Sequence, residues 1–498
     1  MIRFSLRHVA APLLIFLLFG CGGGSDGNQG GSTSGGTGGS TPIGTGGSTP
    51  VGTGGSTPVG TGGGTPVGTG GGTPVGTGGS TPVGTGGGTP VGTGGSTPVG
   101  TGGGTPVGTG GSTPVGTGGS TPVGTGGSTP VGTGGNTPVG TGGGTPVAAA
   151  TTALVAKLGK PSRVLVGLGA GNSLADMKSQ SVRPDIVDTY LVGVGAGAWP
   201  TWNSPDGAYI TYTAQAIQAY GATPMFTLYQ MAQNGDGNLS GIANATFMNN
   251  YWGQVRLMYQ RIAALNAPAL INLEPDFWGY VWAQAPGHDP TQLPAVVNSQ
   301  AECSGLPNTA AGIGQCLVQM GRKIAPNALI GFPPSFWAAT PAAMGAEMQV
   351  VGAHLADFIV AQTSDRDAGC MEVATPPAEC AGRSGPFYWD ENNIATPNFH
   401  QSQSGISDYR TALSNGLPIL WWQTPMGVPS ATPGGTNQHY RDNRVDYMLR
   451  NTQEYGDIHT FAIVFSAGGT FQTSISTDGG QFARLLGQYL AQGGAALR

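Results

Sequence analysis

The chain has 498 residues, 9% of them charged, with 19 Lys and Arg against 24 Asp and Glu for a net charge of -5. So sparse and slightly acidic a charge excludes the basic stripe on which nucleic-acid binding depends. Glycine, at 93 residues, is concentrated in one segment; elsewhere the composition is that of an ordinary globular domain.

Arg3, Arg7 and His8 give a cationic start, and Val9 to Phe19 an apolar core too short to span a bilayer comfortably. This is the pattern of a signal peptide. The core stops at Leu18-Phe19-Gly20-Cys21, which resembles the lipobox of bacterial lipoproteins. That resemblance implies removal of residues 1–20, a diacylated Cys21 as the new N-terminus, and delivery to the outer membrane because Gly22 replaces the retention Asp. An incidental cysteine behind an ordinary secretory signal is the alternative. Membrane attachment is expected through the lipid alone.

From Thr41 to Thr145 a Thr-Pro step returns every eight residues, fourteen times, as in Gly-Gly-Ser-Thr-Pro-Val-Gly-Thr. No charged or aromatic residue falls between Asp26 and Lys157, so side-chain burial there cannot offset chain entropy. Residues 21–147 are accordingly expected to form a disordered tether with an r.m.s. reach of roughly 60 Å. A repeat solenoid is the alternative, although such units usually run longer and bury larger side chains.

Residues 148–498 alternate short apolar runs with amphipathic stretches. The runs are Arg163 to Gly169, Thr189 to Gly195, Pro224 to Tyr229, Ala269 to Leu273, Ala328 to Phe332, Phe358 to Ala361, Ile419 to Trp422 and Phe461 to Phe465. Helices are predicted at Ala208 to Tyr220, Asn249 to Leu265, Thr309 to Ile324, Asp408 to Asn415, Arg441 to Tyr455 and Gly480 to Gln492. Eight strands with intervening helices point to an α/β fold, a (β/α)8 or distorted (β/α) barrel. A doubly wound sheet shows the same alternation, but Gly167-Leu168-Gly169-Ala170-Gly171 does not open a helix as a dinucleotide loop does.

In a barrel, functional groups gather where strands end. Trp199 and Trp202 follow the second run, Trp278 and Trp282 the fourth and Trp337 the fifth, Trp389 lies in the insert after the sixth, and Trp421 with Trp422 closes the seventh. Indoles on one rim suit stacking on the CH-rich faces of sugars, so the expected partner is a polysaccharide or oligosaccharide; scattered core tryptophans are the plainer explanation. Tyr229, Gln230, Asn272 and Gln423 are further candidates for substrate contact.

The fourth run continues as Asn272-Leu273-Glu274-Pro275-Asp276-Phe277-Trp278. A period of two puts Asn272, Glu274 and Asp276 on one face, so Glu274 and Asp276 are expected to meet at the mouth as an acid and base pair. A capping Asp276 and a salt-bridged Glu274 are the structural alternative. Asp365 and Asp367, after the sixth run, are candidates for a remote base, for Ca2+ or for pairing with Arg366.

Glu274-Pro275-Asp276 resembles the Glu-Pro-Asp motif of family-6 glycoside hydrolases, a cellulase family on a distorted barrel. The similarity extends upstream through Tyr229-Gln230-Met231-Ala232-Gln233-Asn234-Gly235-Asp236, where Asp236 matches the catalytic acid, and downstream through Cys303, Cys316 and Phe336-Trp337. The family's Pro-x-Arg-Asp-Cys motif is absent from that stretch. Asn272-Leu273-Glu274-Pro275 is also similar to the Asn-Glu-Pro of retaining barrel hydrolases, with one residue inserted. There the seventh strand carries a nucleophilic Glu, whereas this chain has Gln423, and an amide cannot attack an anomeric carbon. An inverting glycoside hydrolase is the expected activity; a non-catalytic polysaccharide-binding surface lipoprotein is the alternative.

Cys303, Cys316, Cys370 and Cys380 form two sequence-local pairs, expected as disulfides in an oxidising compartment. No Cys-x-x-Cys or HExxH pattern points to a metal, no cofactor motif is present, and Ser466 lacks a nucleophile elbow. A monomer is expected. Acyl labelling tests the anchor: Cys21→Ser should abolish it, and unchanged labelling with membrane retention would refute the lipobox.

Overall fold

The computed structural model describes residues 35–37, most of 41–109, strands reaching residue 141, and residues 147–498 except 364–371, 373–387, 414–415, 437 and 467–472. The chain divides into two units, Met1–Thr141 and Gly142–Arg498.

The described repeat residues pair as strands. Each Val-Gly-Thr triplet is a strand, and alternate triplets fall into two parallel seven-stranded sheets. One turn is therefore two octapeptides, as in the register Val51↔Val67. Large side chains are not required, because the backbone supplies the bonding: Val59 N–H donates to the Pro42 carbonyl at 2.8 Å, and Val67 and Val75 do the same to Pro50 and Pro58. The central glycine faces a crowded interior, where a Cβ on Gly52 would come within 2.6 Å of Ser56 Cβ. Gly54, Gly62, Gly70, Gly78 and Gly86 turn the chain at positive φ, where only glycine is comfortable.

The second unit is a closed barrel of eight parallel strands. These are β1 (Leu165–Leu168), β2 (Ile186–Val192), β3 (Thr223–Tyr229), β4 (Ala269–Leu273), β5 (Ala328–Phe332), β6 (Phe358–Gln362), β7 (Ile419–Pro425) and β8 (Thr460–Ser466). Every one of the eight apolar runs overlaps a strand, the second only from Thr189 to Val192, and β8 closes on β1 through Leu165↔Ala462. Their nearly continuous burial follows from helices covering the outside while side chains fill the inside.

The helix Ala245–Ala263 shows how the outer layer is specified. Asn244 Oδ1 caps it by accepting from Phe247 N–H at 3.0 Å, and Met248, Tyr251, Trp252, Val255, Tyr259 and Ile262 form its buried stripe. Cys303 is disulfide-bonded to Cys316, tying the loop after β4 to the helix Ala310–Ile324. Cys370, Cys380, Asp365, Cys21 and the signal segment lie outside the described residues. Among the described residues, no helix is long and apolar enough to cross a membrane.

Leu154, Val155 and Leu158, from the helix Val147–Lys157 and its end, cluster with the inward side chains Leu165, Ile186, Met225, Leu270, Leu329, Phe358 and Leu420. A chain begun at Ala148 should unfold like the parent domain, whereas one begun at Lys160 should lose roughly 3 kcal/mol or more as that apolar area is exposed. Urea unfolding decides it; equal midpoints would show that the helix contributes nothing.

Candidate active site

Alternation along β4 ends at Leu273. Glu274 and Asp276 both have left-handed backbone, with φ of 54° and 66°, so the period of two no longer governs where they point. Their carboxylates do not meet at the mouth as the strand period predicts.

Glu274 is completely buried. One carboxylate oxygen accepts the backbone N–H groups of Gln230 and Met231, at 2.9 and 3.0 Å, while Tyr251 of the helix Ala245–Ala263 lies beside it. Glu274 N–H in turn donates to the Leu228 carbonyl at 2.8 Å. Burial raises its pKa to about 7, opposed by the N–H groups of Met231 and Gln230 and by Tyr251. This carboxyl stitches the loop after β3 to the end of β4 and has no surface to offer a substrate.

Asp276 is half-buried on the rim. It occupies the N-cap of the helix Phe277–Gln284 without capping it, and its Oδ1 accepts the Trp337 indole N–H at 3.2 Å. Asp236, on the loop that Glu274 holds, accepts the Tyr229 hydroxyl at 2.8 Å. Burial, Asp236 and Asp276 together raise the phenols of Tyr229 and Tyr280, placing both carboxylates next to the same two rings. Tyr280 packs on Trp337 with ring centres 4.8 Å apart, and Trp337 is 54% exposed.

Across the mouth, Gln423 Nε2 donates to the Tyr190 hydroxyl at 3.2 Å, and Tyr190 meets Tyr229 edge-on at 6.2 Å. Gln423 also has left-handed backbone, with φ of 51°. It sits in an irregularity where Trp421 to Thr424 of β7 oppose Ile463 to Phe465 of β8, one residue more on β7 than on β8. The extra residue turns inward an amide that strict alternation would send out to the helices.

Beneath the mouth lies a polar layer the sequence reading missed. Asp188 is buried inside the barrel and accepts from the Thr227 hydroxyl and the Trp422 indole N–H, both at 2.8 Å. Burial raises its pKa to about 7 against those bonds and the Thr189 N–H. Asn272 Nδ2 reaches Thr227 at 3.4 Å, and its Oδ1 is buried without a partner. The signal is in the sequence: Ile186-Val187-Asp188-Thr189-Tyr190 is a strand with one charge inside it, and an apolar run starting at Thr189 leaves that charge out. Tyr190 and Tyr280 were missed as well.

The tryptophans divide sharply. Trp199, Trp278 and Trp421 are at most 1% exposed; the Trp278 and Trp421 indoles donate to Leu273 O and Thr460 Oγ1 at 2.9 Å, leaving no face for a sugar. Trp422 is 2% exposed within the barrel, and Trp389 is packed under the Arg444 guanidinium. Gln230 and Asn272 are likewise buried, with the Gln230 amide on the Gly193 carbonyl. Only Trp202 and Trp337 of the expected stacking set are exposed; Trp282 is half-buried and stacked on His288 with ring centres 4.4 Å apart, and the sequence position of the other five after strand ends reflects core packing. Among the described residues, no cluster of three or more His, Cys, Asp or Glu side chains is arranged to hold a metal.

No family model and no curated protein matches this chain. Among solved structures it is similar to a modular endo-β-1,4-mannanase from Cellulomonas fimi, at 12% identity over 70% of this chain and 74% of that one, with a TM-score of 0.41. It is also similar to a GH113 β-1,4-mannanase, at 9% identity over 66% and 99% with a TM-score of 0.39, and to a D-allulose 3-epimerase from Methylomonas sp., at 13% identity over 66% and 90% with a TM-score of 0.34. Hydrolases and an epimerase share this likeness, which leaves the chemistry to be argued from the site.

A carboxyl whose folded pKa lies above its ordinary 4.5 favours folding while protonated, and loses that contribution as pH rises through about 7. Glu274→Gln cannot ionise. Its stability relative to the parent should therefore rise between pH 5 and 8, by on the order of 1–3 kcal/mol, as read by urea unfolding; a difference independent of pH would contradict this placement.

Proposed function

We propose that the barrel is a glycoside hydrolase that cleaves a polysaccharide by carboxylate acid and base catalysis, held at the outer membrane through Cys21. The supporting observation is that Asp236 and Asp276, carried by different loops, flank Tyr229 and Tyr280 beside the exposed Trp337. A sugar ring stacked on that indole would lie next to two carboxylates, one to protonate the leaving oxygen and one to receive the proton of water.

Asp236 is assigned as the acid. It gives its proton to the glycosidic oxygen as the bond to the anomeric carbon breaks, and Asp276 takes a proton from the water that attacks the opposite face. The resemblance to family-6 hydrolases implies the same donor and leaves Glu274 to shape the site, which agrees with the burial of Glu274. Inversion is the proposed outcome, because β7 presents the amide of Gln423 where a retaining enzyme of the other clan has its nucleophile.

Incubating the domain with mannans, glucans and pectins should release reducing ends from at least one. On that substrate Asp236→Asn and Asp276→Asn should each lower turnover by about 10²-fold or more while binding persists. Binding without cleavage by the parent would favour the non-catalytic polysaccharide-binding role, for which the missing nucleophile on β7 also argues. Near-normal turnover in both variants would place the chemistry elsewhere.

A further inference from the structure

Two bridges cross the barrel between β2 and β7. In the buried layer, Asp188 accepts the Trp422 indole N–H at 2.8 Å. One step nearer the mouth, Tyr190 accepts the Gln423 amide at 3.2 Å. Trp422 and Gln423 are consecutive, and the extra residue of β7 falls among them and their neighbours. The ordinary course of β7 would carry Trp421 outward, Trp422 inward and Gln423 outward again. Trp421 is indeed outward, on Thr460 and Tyr455, and Trp422 inward with the barrel core. Gln423 breaks the sequence, and it does so in a left-handed conformation that a glutamine rarely adopts.

Such a conformation persists only where its surroundings over-determine it. Trp422 is the residue fixed immediately before it, and its indole N–H is held by the Asp188 carboxylate. Asp188 is fixed in turn by the Thr227 hydroxyl and, at its own strand, by Thr189 N–H. A carboxylate can accept from all of these at once, which a buried side chain with both donor and acceptor atoms cannot do as well.

We propose that Asp188 is a positioning residue of the mouth: by anchoring the Trp422 indole from across the barrel, it holds the β7 irregularity that turns Gln423 toward Tyr190. It does not itself touch substrate, being buried under the layer that would. The consequence for sugar binding rests on the glycoside hydrolase reading; the consequence for Gln423 does not.

The test uses the full chain with 15N-labelled tryptophan and glutamine, the Trp422 and Gln423 signals being assigned with Trp422→Phe and Gln423→Ala. Asp188→Ala should move the Trp422 indole resonance and speed its exchange with water, and should also shift the Gln423 side-chain amide. Asp188→Asn, whose oxygen can still accept from the indole, should restore both in part and serves if the alanine variant folds poorly. A Gln423 amide that stays in place while the Trp422 indole is released would overturn the proposal. In an Asp276→Asn background, the affinity for a bound neutral oligosaccharide should fall about tenfold with either Asp188→Ala or Gln423→Ala, and no further with both. Additive losses would overturn the link to binding. If the parent binds no saccharide, the glycoside hydrolase reading fails, and the two resonances still decide the role of Asp188.

Discussion

Glu274 receives two backbone N–H groups from the loop after β3 while its own N–H returns to Leu228, and the rim is arranged around that knot. The loop so fixed carries Asp236; the turn that follows Glu274 carries Asp276. One buried carboxyl thus sets the relation between the two on the rim. Its burial is costly for an ionised group, which is why the pKa rises despite two N–H donors, desolvation outweighing the hydrogen bonds.

The barrel interior is graded along its axis. Leucine, isoleucine, methionine and phenylalanine fill the end nearest the helix Val147–Lys157. Asp188, Thr227 and Asn272 come next, and then the tyrosines, Gln423 and the rim carboxylates. A wholly apolar interior would pack as well and ask for no satisfied polar partners. The buried polar layer makes sense as a foundation for a polar mouth, because it orients groups one step closer to solvent without being exposed itself.

The architecture was legible because eight apolar runs at regular spacing have few other ways to be buried, and all eight overlap strands of the closed sheet. The local disulfide between Cys303 and Cys316 was legible from the short spacing of the two cysteines. The geometry of the site was not. A period of two predicts side-chain direction only while the backbone stays extended, and Glu274, Asp276 and Gln423 have left the extended region. The tryptophans follow strand ends as expected, yet chain position does not say whether an indole lies over the mouth, as Trp337 does, or beneath the helices, as Trp278 does. In the repeat, composition argued against a side-chain core, whereas the described strands are joined by backbone hydrogen bonds and need glycine because their interior is so narrow.

The proposed chemistry lies between Asp236 and Asp276, with Trp337 as the stacking face. A crystal structure of the Asp276→Asn protein with a bound oligosaccharide of the polymer it cleaves tests this most directly. A sugar ring should lie on the Trp337 indole, with a glycosidic oxygen within hydrogen-bonding reach of the Asp236 carboxyl. A saccharide bound away from both, or one whose glycosidic oxygens all lie beyond the reach of Asp236, would contradict it.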